Sequence, residues 1–195
     1  IYLICGITLP MGSDKNPIIK DYELLIGDCC QREQIKHNAY KIDELSIKTK
    51  GFKIYFNGGK RGILYSVYTF LENYCGVRFF TADIEKIFDV DKIDVGDIEY
   101  NYSPKFTYRE LSYWNSWDPD FSVKSKINGT FVRKLNEDHG GGLGFAGGVP
   151  GLVHTFSMLC PKSEYMSTHP EYFALDKDGI RRDNGLCLTN EGTFN

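Results

Sequence analysis

The sequence has no run of five or more basic residues and no long apolar segment. Its 23 Lys and Arg against 26 Asp and Glu give a formal charge of −3, so no basic field attracts a nucleic-acid backbone. No window approaches the roughly 18 to 20 uninterrupted apolar residues of a membrane-spanning helix. These absences argue against nucleic acid and a membrane span.

The spacings typical of metal sites are also missing. The six cysteines include no CxxC pair, and the four histidines never fall in HxH or HExxH spacing. We therefore expect no metal and no cofactor. The even number of cysteines allows disulfides, although a buried free thiol is the ordinary state of a cysteine in an apolar run.

Three short motifs match the consensus sequences of known sites, but the residues around them do not fit those sites. Residues 142–147 read GxGxxG, but the proline at position 150 argues against the helix that a dinucleotide site needs. Residues 139–142 read HGGG, as in an esterase oxyanion loop, yet the chain has no GxSxG nucleophile motif. Residues 176–179 resemble the start of a calcium loop, but the glycine comes too early. We expect a turn there.

Aromatic residues are plentiful, with 13 Tyr, 13 Phe and 2 Trp among 195 residues. Sheet-rich domains and sugar-binding surfaces share this composition. The length allows one domain, or one small domain and part of another. A complete (β/α)₈ barrel alone needs roughly 250 residues.

Hydrophobic periodicity predicts the first half of the fold. Residues 42–57 alternate on period two around Gly51, which is typical of a β-hairpin. Residues 63–75 repeat apolar side chains every three or four positions, which predicts an amphipathic helix ending at Gly76. A short strand, VRFF, follows. We expect the helix to cover the hairpin with four buried side chains, Leu64, Val67, Tyr68 and Leu71.

The pattern changes near Pro104, where we place a domain boundary. Before it, residues 83–102 read as an edge strand or extended connector. Beyond it, a helix from Asp118 and Pro119 to Lys126 separates two predicted strands. A strand, a helix and a strand with short links are how an α/β barrel begins. Further predicted elements are a helical turn at 163–169, a hairpin of 172–175 with 180–182, and strands at 106–111, 127–132 and 186–189.

Two charged clusters are candidate site groups. Arg109 and Glu110 close the first barrel-like strand, and residues 137–139 read Glu-Asp-His before the glycines. Barrel enzymes collect their functional groups at the carboxyl ends of the strands. A plain surface ion pair is the alternative for each cluster.

Four stretches of the chain resemble a known family. They are GGKRGILYSVYTFLENYCGVRFFTAD from Gly58, PKFTYREL from Pro104, KINGTF from Lys126, and HTFSMLCPKSEYMSTHPEYFALDKDGIRRDNGLCLTN from His154. In order and length they are similar to the α-glucuronidase-type amino-terminal domain and to the uncharacterised, glycoside-hydrolase-like bacterial proteins that carry it. The resemblance covers most of the chain from about Ile42 onward.

The resemblance implies two domains. Residues 1–103 would form an α+β amino-terminal domain, a mixed sheet with helices on one side. Residues 104–195 would form the first three β/α units of an incomplete (β/α)₈ catalytic barrel. The chain begins without Met and without signal-peptide features, so we expect a truncated amino end. For the whole protein the resemblance implies a secreted or periplasmic location.

By the same resemblance, the chain is a fragment of a glycoside hydrolase-like enzyme. Its partner would be an oligosaccharide or polysaccharide of plant-type or other complex origin, uronic-acid-containing chains included. Glycoside hydrolysis uses two carboxylates, which the resemblance places beyond Asn195. This chain would then contribute substrate-binding groups, which combine stacking planes with hydrogen-bonding rims. The expected residues are Arg109, Glu110, Trp114, Asn128, His139, His154 and Asn190.

Arg109 is the most informative of these residues. A guanidinium can bind a carboxylate with two parallel hydrogen bonds, whereas a neutral sugar does not require one. The alternative is that Arg109 pairs with Glu110 or Asp138 and braces the loop. For the chain as a whole, the alternatives to an enzyme are a non-catalytic carbohydrate-binding or scaffold module and a structural domain without a ligand.

Overall fold

The computed structural model describes residues 1–13, 15, 20–33, 39–88, 90–131, 133–144 and 155–194. The chain forms two compact units, Ile1–Leu143 and Gly144–Asn195. Both units contain helix and strand, so the fold is of the mixed α+β class that the sequence predicts. The domain boundary at Pro104 stays a prediction.

The first unit combines helices with a mixed sheet. Its helices are α1 (Tyr2–Cys5), α2 (Lys60–Tyr74) and α3 (Pro119–Lys124). Its strands are β1 (Glu23–Ile26), β2 (Leu45–Lys50), β3 (Lys53–Gly58), β4 (Arg78–Phe79), β5 (Glu85–Lys86) and β6 (Glu99–Tyr102). Short 3₁₀ segments occur at Gly27–Glu33, Trp114–Trp117 and Glu137–His139.

The main sheet has the strand order β1-β3-β2-β6. Strand β1 runs parallel to β3, and the other two pairings are antiparallel. Lys50 pairs with Lys53, which leaves Gly51 and Phe52 as a two-residue turn. Gly51 has φ +59°, as a hairpin turn with glycine at its first central position requires. The predicted hairpin is confirmed.

Strand β3 is buried on both faces, where the sequence pattern indicated one. Phe56 packs edge-on against Phe70 of α2, with ring centroids 5.1 Å apart. Tyr55, on the opposite face, packs with Leu25 and Cys30. The 3₁₀ segment Gly27–Glu33, which follows β1, contacts β3 and completes this cluster of Tyr55, Leu25 and Cys30. The period-two pattern predicted one buried face. A central strand that is packed on both sides has no face in contact with solvent, so this pattern does not apply to β3.

Helix α2 is confirmed, but its most buried face is not the predicted one. Leu64, Val67, Tyr68 and Leu71 are half-buried and pack against the main core. The helix contacts β2 and β3 and also α3, so its covered surface is wider than one apolar stripe. Polar residues share that surface: Ser66 is fully buried and its hydroxyl donates to the Ile63 carbonyl at 2.6 Å. The fully buried side chains of the helix interior are Tyr65, Ser66, Thr69 and Phe70.

The two predicted strands at 106–111 and 127–132 are wrong over their described residues. An isolated parallel bridge joins Gly129 to Leu143, and residues 106–111 are irregular. The Asn128 side chain occupies the place of a neighbouring strand. Its amide nitrogen donates to the Thr107 carbonyl at 2.8 Å, and its oxygen accepts from the Arg109 N–H at 2.8 Å. A side-chain amide thereby supplies the two bonds that a ladder would supply.

Helix α3 begins with the predicted cap. The Asp118 carboxylate accepts from the Phe121 N–H at 2.7 Å, and Pro119 occupies the first turn. The helix ends with Lys126 at φ +58°, where the Ile127 N–H donates back to the Ser122 carbonyl at 2.8 Å. This is a Schellman ending, and it turns the chain toward Asn128.

The cap gives a first testable expectation. We expect Asp118→Ala to lower the free energy of unfolding by about 1 kcal/mol, because the Phe121 N–H loses its acceptor. Urea unfolding followed by circular dichroism measures this change. Asp118→Asn keeps an acceptor oxygen and should stay within a few tenths of a kcal/mol of the parent. Equal losses in both variants would argue that charge, and not the cap bond, stabilises the helix.

The second unit contains α4 (Phe156–Leu159), α5 (Lys162–Tyr165), and strands β7 (Phe173–Leu175) and β8 (Arg181–Leu186). The 3₁₀ segments are Pro170–Tyr172 and Glu191–Phe194. Strands β7 and β8 are antiparallel, which confirms the predicted hairpin. The expected strand at 186–189 is wrong. Strand β8 ends at Leu186, where it pairs with Phe173, and residues 188–189 form a turn.

Asp176 explains the turn between β7 and β8. One of its carboxylate oxygens accepts from the N–H groups of Asp178 and Ile180, each at 2.9 Å. The other accepts from Arg182 Nε at 2.6 Å. Hydrogen bonds and the neighbouring guanidinium hold the pKa of the Asp176 carboxyl below its usual value. The acidic sequence therefore forms a turn, as predicted.

Candidate functional site

Glycines just before α2 and in its first turn let the start of this helix lie directly on the segment that precedes β2. A Cβ atom on Gly59 would lie 2.1 Å from the Lys41 carbonyl oxygen, and one on Gly62 would lie 1.8 Å from the Glu44 carbonyl oxygen. The Gly59 N–H donates to the Glu44 carbonyl at 2.9 Å. The Gly62 N–H donates to the Ile42 carbonyl at 3.0 Å. Because these donors are used within the fold, the helix start is a packing contact and not an open anion site.

Arg61 and Asp43 form a buried ion pair at this contact. Arg61 Nε lies 2.5 Å from one Asp43 carboxylate oxygen, and Nη2 lies 3.1 Å from the other. Each side chain is only 4% exposed. Burial, with the Asp43 carboxylate as the next cause, raises the pKa of the neighbouring Tyr65 to about 12. Tyr65 therefore remains a neutral phenol at physiological pH.

Asn128 connects this ion pair to the irregular segment at 106–111. Its amide nitrogen donates to Asp43 at 2.9 Å as well as to the Thr107 carbonyl. Asn128 is fully buried, so all of its hydrogen bonds lie inside the protein. We name Asp43, Arg61, Arg109 and Asn128 the Asp43 network.

Arg109 belongs to this network through hydrogen bonds from Nε and Nη1 and a longer ion-pair contact from Nη2. Nε donates to the Lys126 carbonyl at 2.7 Å, and Nη1 donates to the Phe106 carbonyl at 2.8 Å. Nη2 lies 3.4 Å from the Asp43 carboxylate. The partner acid is therefore Asp43 and neither Glu110 nor Asp138, the two partners considered from the sequence. With these acceptors in place, the geometry supports a positioning role for Arg109.

Glu110 is the carboxylate of a second buried ion pair. One of its oxygens lies 2.8 Å from Arg133 Nη1. The other accepts from the Tyr108 hydroxyl and from the Phe131 N–H, both at 3.1 Å. Gly129 makes room for it, because a Cβ there would lie 1.9 Å from the same oxygen. A carboxylate engaged in this way is an acceptor within the fold and is poorly suited to acid-base chemistry on a substrate.

Arg133 extends this pair to the segment that bears the tryptophans. Its guanidinium donates to the Leu111 carbonyl at 2.8 Å and to Ser116 Oγ at 3.1 Å. Its Nε also donates to the Ser116 carbonyl. Ser116 is fully buried, and its hydroxyl donates to the Tyr113 carbonyl at 2.7 Å. The 3₁₀ segment at Trp114–Trp117 is thus fixed from its buried side.

Trp114 and Trp117 lie on the outer side of that segment. Their ring centroids are 4.7 Å apart, and the ring planes are inclined by 36°. Trp114 is 78% exposed and Trp117 is 46% exposed. We call them the tryptophan pair. A large exposed aromatic surface held by buried polar contacts makes the tryptophan pair a candidate binding surface.

Three further residues were predicted from the sequence: His139, His154 and Asn190. His139 is held in the first unit: its Nδ1 accepts from the Asn136 N–H at 3.2 Å, and Nε2 lies 3.2 Å from Asp120. Asn190 lies in the second unit, where its N–H donates to the Cys187 carbonyl at 3.2 Å. His154 lies outside the described residues.

The structure brings together Arg109 and Asn128 directly, and joins Glu110 to the segment of Trp114 through Arg133 and Ser116. Sequence reasoning missed the partners Asp43, Arg61 and Arg133. No sequence signal pointed to these partners: Lys60 and Arg61 lie between the same glycines, and only Arg61 is buried.

Other types of site were also considered for the described residues of the molecule: metal sites, membrane-spanning helices and cysteine sites. They contain no group of three or more His, Cys, Asp or Glu placed to hold a metal ion. Within the described part, no helix has the length and apolar character needed to cross a membrane. Cys5, Cys75, Cys160 and Cys187 are free thiols.

Comparison with known proteins identifies the family. A family model described as a domain of unknown function (DUF4838) matches residues 79–195, more than half of the chain. The chain therefore belongs to this family. No curated protein and no solved structure matches the chain. The matched region includes Arg109, Glu110, Trp114 and Asn128, whereas Asp43 and Arg61 precede it.

Proposed function

We propose that the chain is part of a carbohydrate-active protein of the glycoside hydrolase type. The support is the resemblance of its four stretches to the α-glucuronidase-type amino-terminal domain and its bacterial carriers. In this proposal residues 104–195 begin a (β/α)₈ barrel, the catalytic carboxylates lie beyond Asn195, and the protein is secreted or periplasmic. The substrate is a plant-type or other complex polysaccharide, uronic-acid-containing chains included.

The observation that carries the proposal is the tryptophan pair. Sugar rings present flat apolar faces, and a largely exposed indole offers a matching plane. The pair is also rigid, because Ser116 between the two tryptophans is fixed by Arg133 and Glu110. A platform held in place before binding loses little conformational freedom when the sugar arrives.

The proposal divides the sequence-predicted residues by role. Trp114 contacts the sugar. His139, His154 and Asn190 are proposed substrate-binding residues by the resemblance alone. Arg109, Glu110 and Asn128 are positioning residues, because their polar atoms are used inside the fold. Acidic substrates would then be recognised by groups other than Arg109.

A second candidate is a carbohydrate-binding module without catalysis. The observation that favours it is the state of Glu110, the acidic residue expected at the first strand end. Its two oxygens are occupied by Arg133, Tyr108 and the Phe131 N–H. The tryptophan pair functions equally well in either candidate, so binding is the first property to test.

We expect Trp114→Ala to weaken binding of a polysaccharide-derived oligosaccharide at least about tenfold, the loss typical of an aromatic anchor. Isothermal titration calorimetry with neutral and uronate-containing oligosaccharides measures the dissociation constant. The matched control is Phe106→Ala, since Phe106 is an equally exposed aromatic residue without a ring partner among the described residues.

The stability of both variants should remain close to that of the parent, because the two side chains are exposed. Equal affinity of Trp114→Ala and the parent would contradict the proposed platform. Equal weakening in Trp114→Ala and Phe106→Ala would point to a general loss of apolar surface.

A further inference from the structure

We propose that the tryptophan pair binds neutral sugar rings and rejects rings that carry a negative charge, because the surface around the pair is acidic. This inference rests on the proposed function and names the class of ring that the platform takes. A polysaccharide that contains uronic acids would then place its neutral rings on the tryptophan pair and its charged rings elsewhere.

Three short segments that contact one another in succession form this part of the first unit. The 3₁₀ segment Trp114–Trp117 contacts helix α3, and α3 also contacts the 3₁₀ segment Glu137–His139. Asp118 joins the first two segments. Its N–H donates to the Asn115 carbonyl at 3.2 Å, and its carboxylate caps α3. The charged groups of the three segments therefore belong to the surroundings of the tryptophan pair.

The chain around the tryptophan pair carries acids and no bases. From position 111 to position 123 the sequence contains Asp118 and Asp120 but no lysine or arginine. Asp120 lies in the first turn of α3, and its side chain is 76% exposed. His139 Nε2 lies 3.2 Å from its carboxylate. Since Nδ1 of the same ring accepts from the Asn136 N–H, the imidazole is neutral and leaves the charge of Asp120 uncompensated.

The bases nearest to these segments are already paired with other acids. The ion pairs are Arg133 with Glu110, Lys124 with Glu85, and Lys60 with Glu137. Three carboxylates of the segments, those of Asp118, Asp120 and Asp138, have no lysine or arginine partner among the described residues. Lys134, which follows Arg133 in the chain, is exposed and adds one positive charge against these three. The balance of charge is therefore negative.

This charge acts differently on the two kinds of ring. Both kinds offer an apolar face to an indole, so stacking does not distinguish them. An anion about 8 Å from one carboxylate in water loses a factor of about two in affinity, and the factors of several acids multiply. Exposed carboxylates also accept hydrogen bonds from sugar hydroxyls, which a neutral ring offers at no electrostatic cost. Neutral rings are therefore the favoured ligands.

The test measures binding of a panel of uronate oligosaccharides, each as the free acid and as its uncharged methyl ester, by titration calorimetry on the full chain. We expect the ester to bind about fivefold more tightly than the acid at low salt, and the difference to shrink at high salt, which screens the repulsion. Asp120→Asn should strengthen binding of the acid about twofold and leave the ester unchanged. Asp118→Asn keeps the cap of α3 and should give a similar gain. The control is Asp94→Asn, which removes the same charge from an exposed residue outside the three segments, paired with Lys92 at 2.8 Å.

The variant Trp114→Ala separates this inference from the proposed function. If it weakens binding of both forms while the parent binds acid and ester equally, the charge selectivity is wrong and the platform stands. A gain in Asp94→Asn as large as that in Asp120→Asn also overturns the inference, because the total charge would then set the preference. If neither form binds, or if Trp114→Ala changes neither affinity, the platform itself is overturned and the selectivity with it.

Discussion

Arg61→Ala is expected to lower the free energy of unfolding by about 3 to 5 kcal/mol. The variant leaves the Asp43 carboxylate buried with only Asn128 and the more distant Arg109 guanidinium as partners. An uncompensated buried charge costs far more than the loss of an ordinary surface ion pair. Urea unfolding monitored by tryptophan fluorescence and circular dichroism measures the change.

The neighbouring Lys60→Ala is the matched control. Lys60 pairs with Glu137, but both side chains are largely exposed, so this pair contributes at most about 1 kcal/mol. Arg61→Lys should recover little of the loss, because one ammonium cannot reproduce the two-nitrogen contact with Asp43. A loss below about 1 kcal/mol for Arg61→Ala would show that the pair is not a main support of the fold.

The substitution Gly62→Ala is expected to cost about 3 kcal/mol or more, at the upper end of the range for overpacking. The added methyl would lie 1.8 Å from the Glu44 carbonyl oxygen and 2.7 Å from the carbonyl carbon. Backbone atoms cannot move aside as the end of a side chain can. The helix start cannot shift easily either, since Arg61 is bonded to Asp43 on the same segment.

Gly144→Ala provides the control for this prediction. A Cβ on Gly144 would meet no atom of the described residues within 4 Å, and the φ angle of Gly144 lies outside the left-handed region. We expect its unfolding midpoint to match that of the parent within error. A Gly62→Ala protein as stable as the Gly144→Ala protein would mean that α2 does not rest on Glu44 as described.

Local patterns predicted the local elements of this protein. The hairpin, helix α2, the cap of α3 and the β7–β8 hairpin each follow from neighbours within about ten residues in sequence. The structure between residues 106 and 131 could not be predicted from local patterns. Hydrogen bonds of the Asn128 side chain take the place of a strand pairing there. The spacing of apolar residues carries no information about hydrogen bonds of this kind.

The candidate site was predicted less completely than the fold. Arg109, Glu110 and Trp114 were selected by position, but their partners lie far away in sequence. Asn128 reaches Asp43 across 85 residues, and Arg61 reaches it across 18. A single sequence shows which residues are charged, whereas the pairing of buried charges depends on the three-dimensional arrangement. The exposed state of Trp114 likewise depends on Ser116 and Arg133 beneath it.

The burial of Asn128 also bears on the chemical ageing of the protein. Asn128 precedes Gly129, and an unhindered glycine nitrogen can attack the preceding side-chain amide, which is then lost as ammonia. In the folded chain the Gly129 N–H donates to the Arg109 carbonyl at 2.9 Å, and the Asn128 amide is held by Asp43 and Thr107. Deamidation after unfolding would put a second carboxylate beside Asp43, and this repulsion would disfavour refolding of a molecule that stays unfolded long enough.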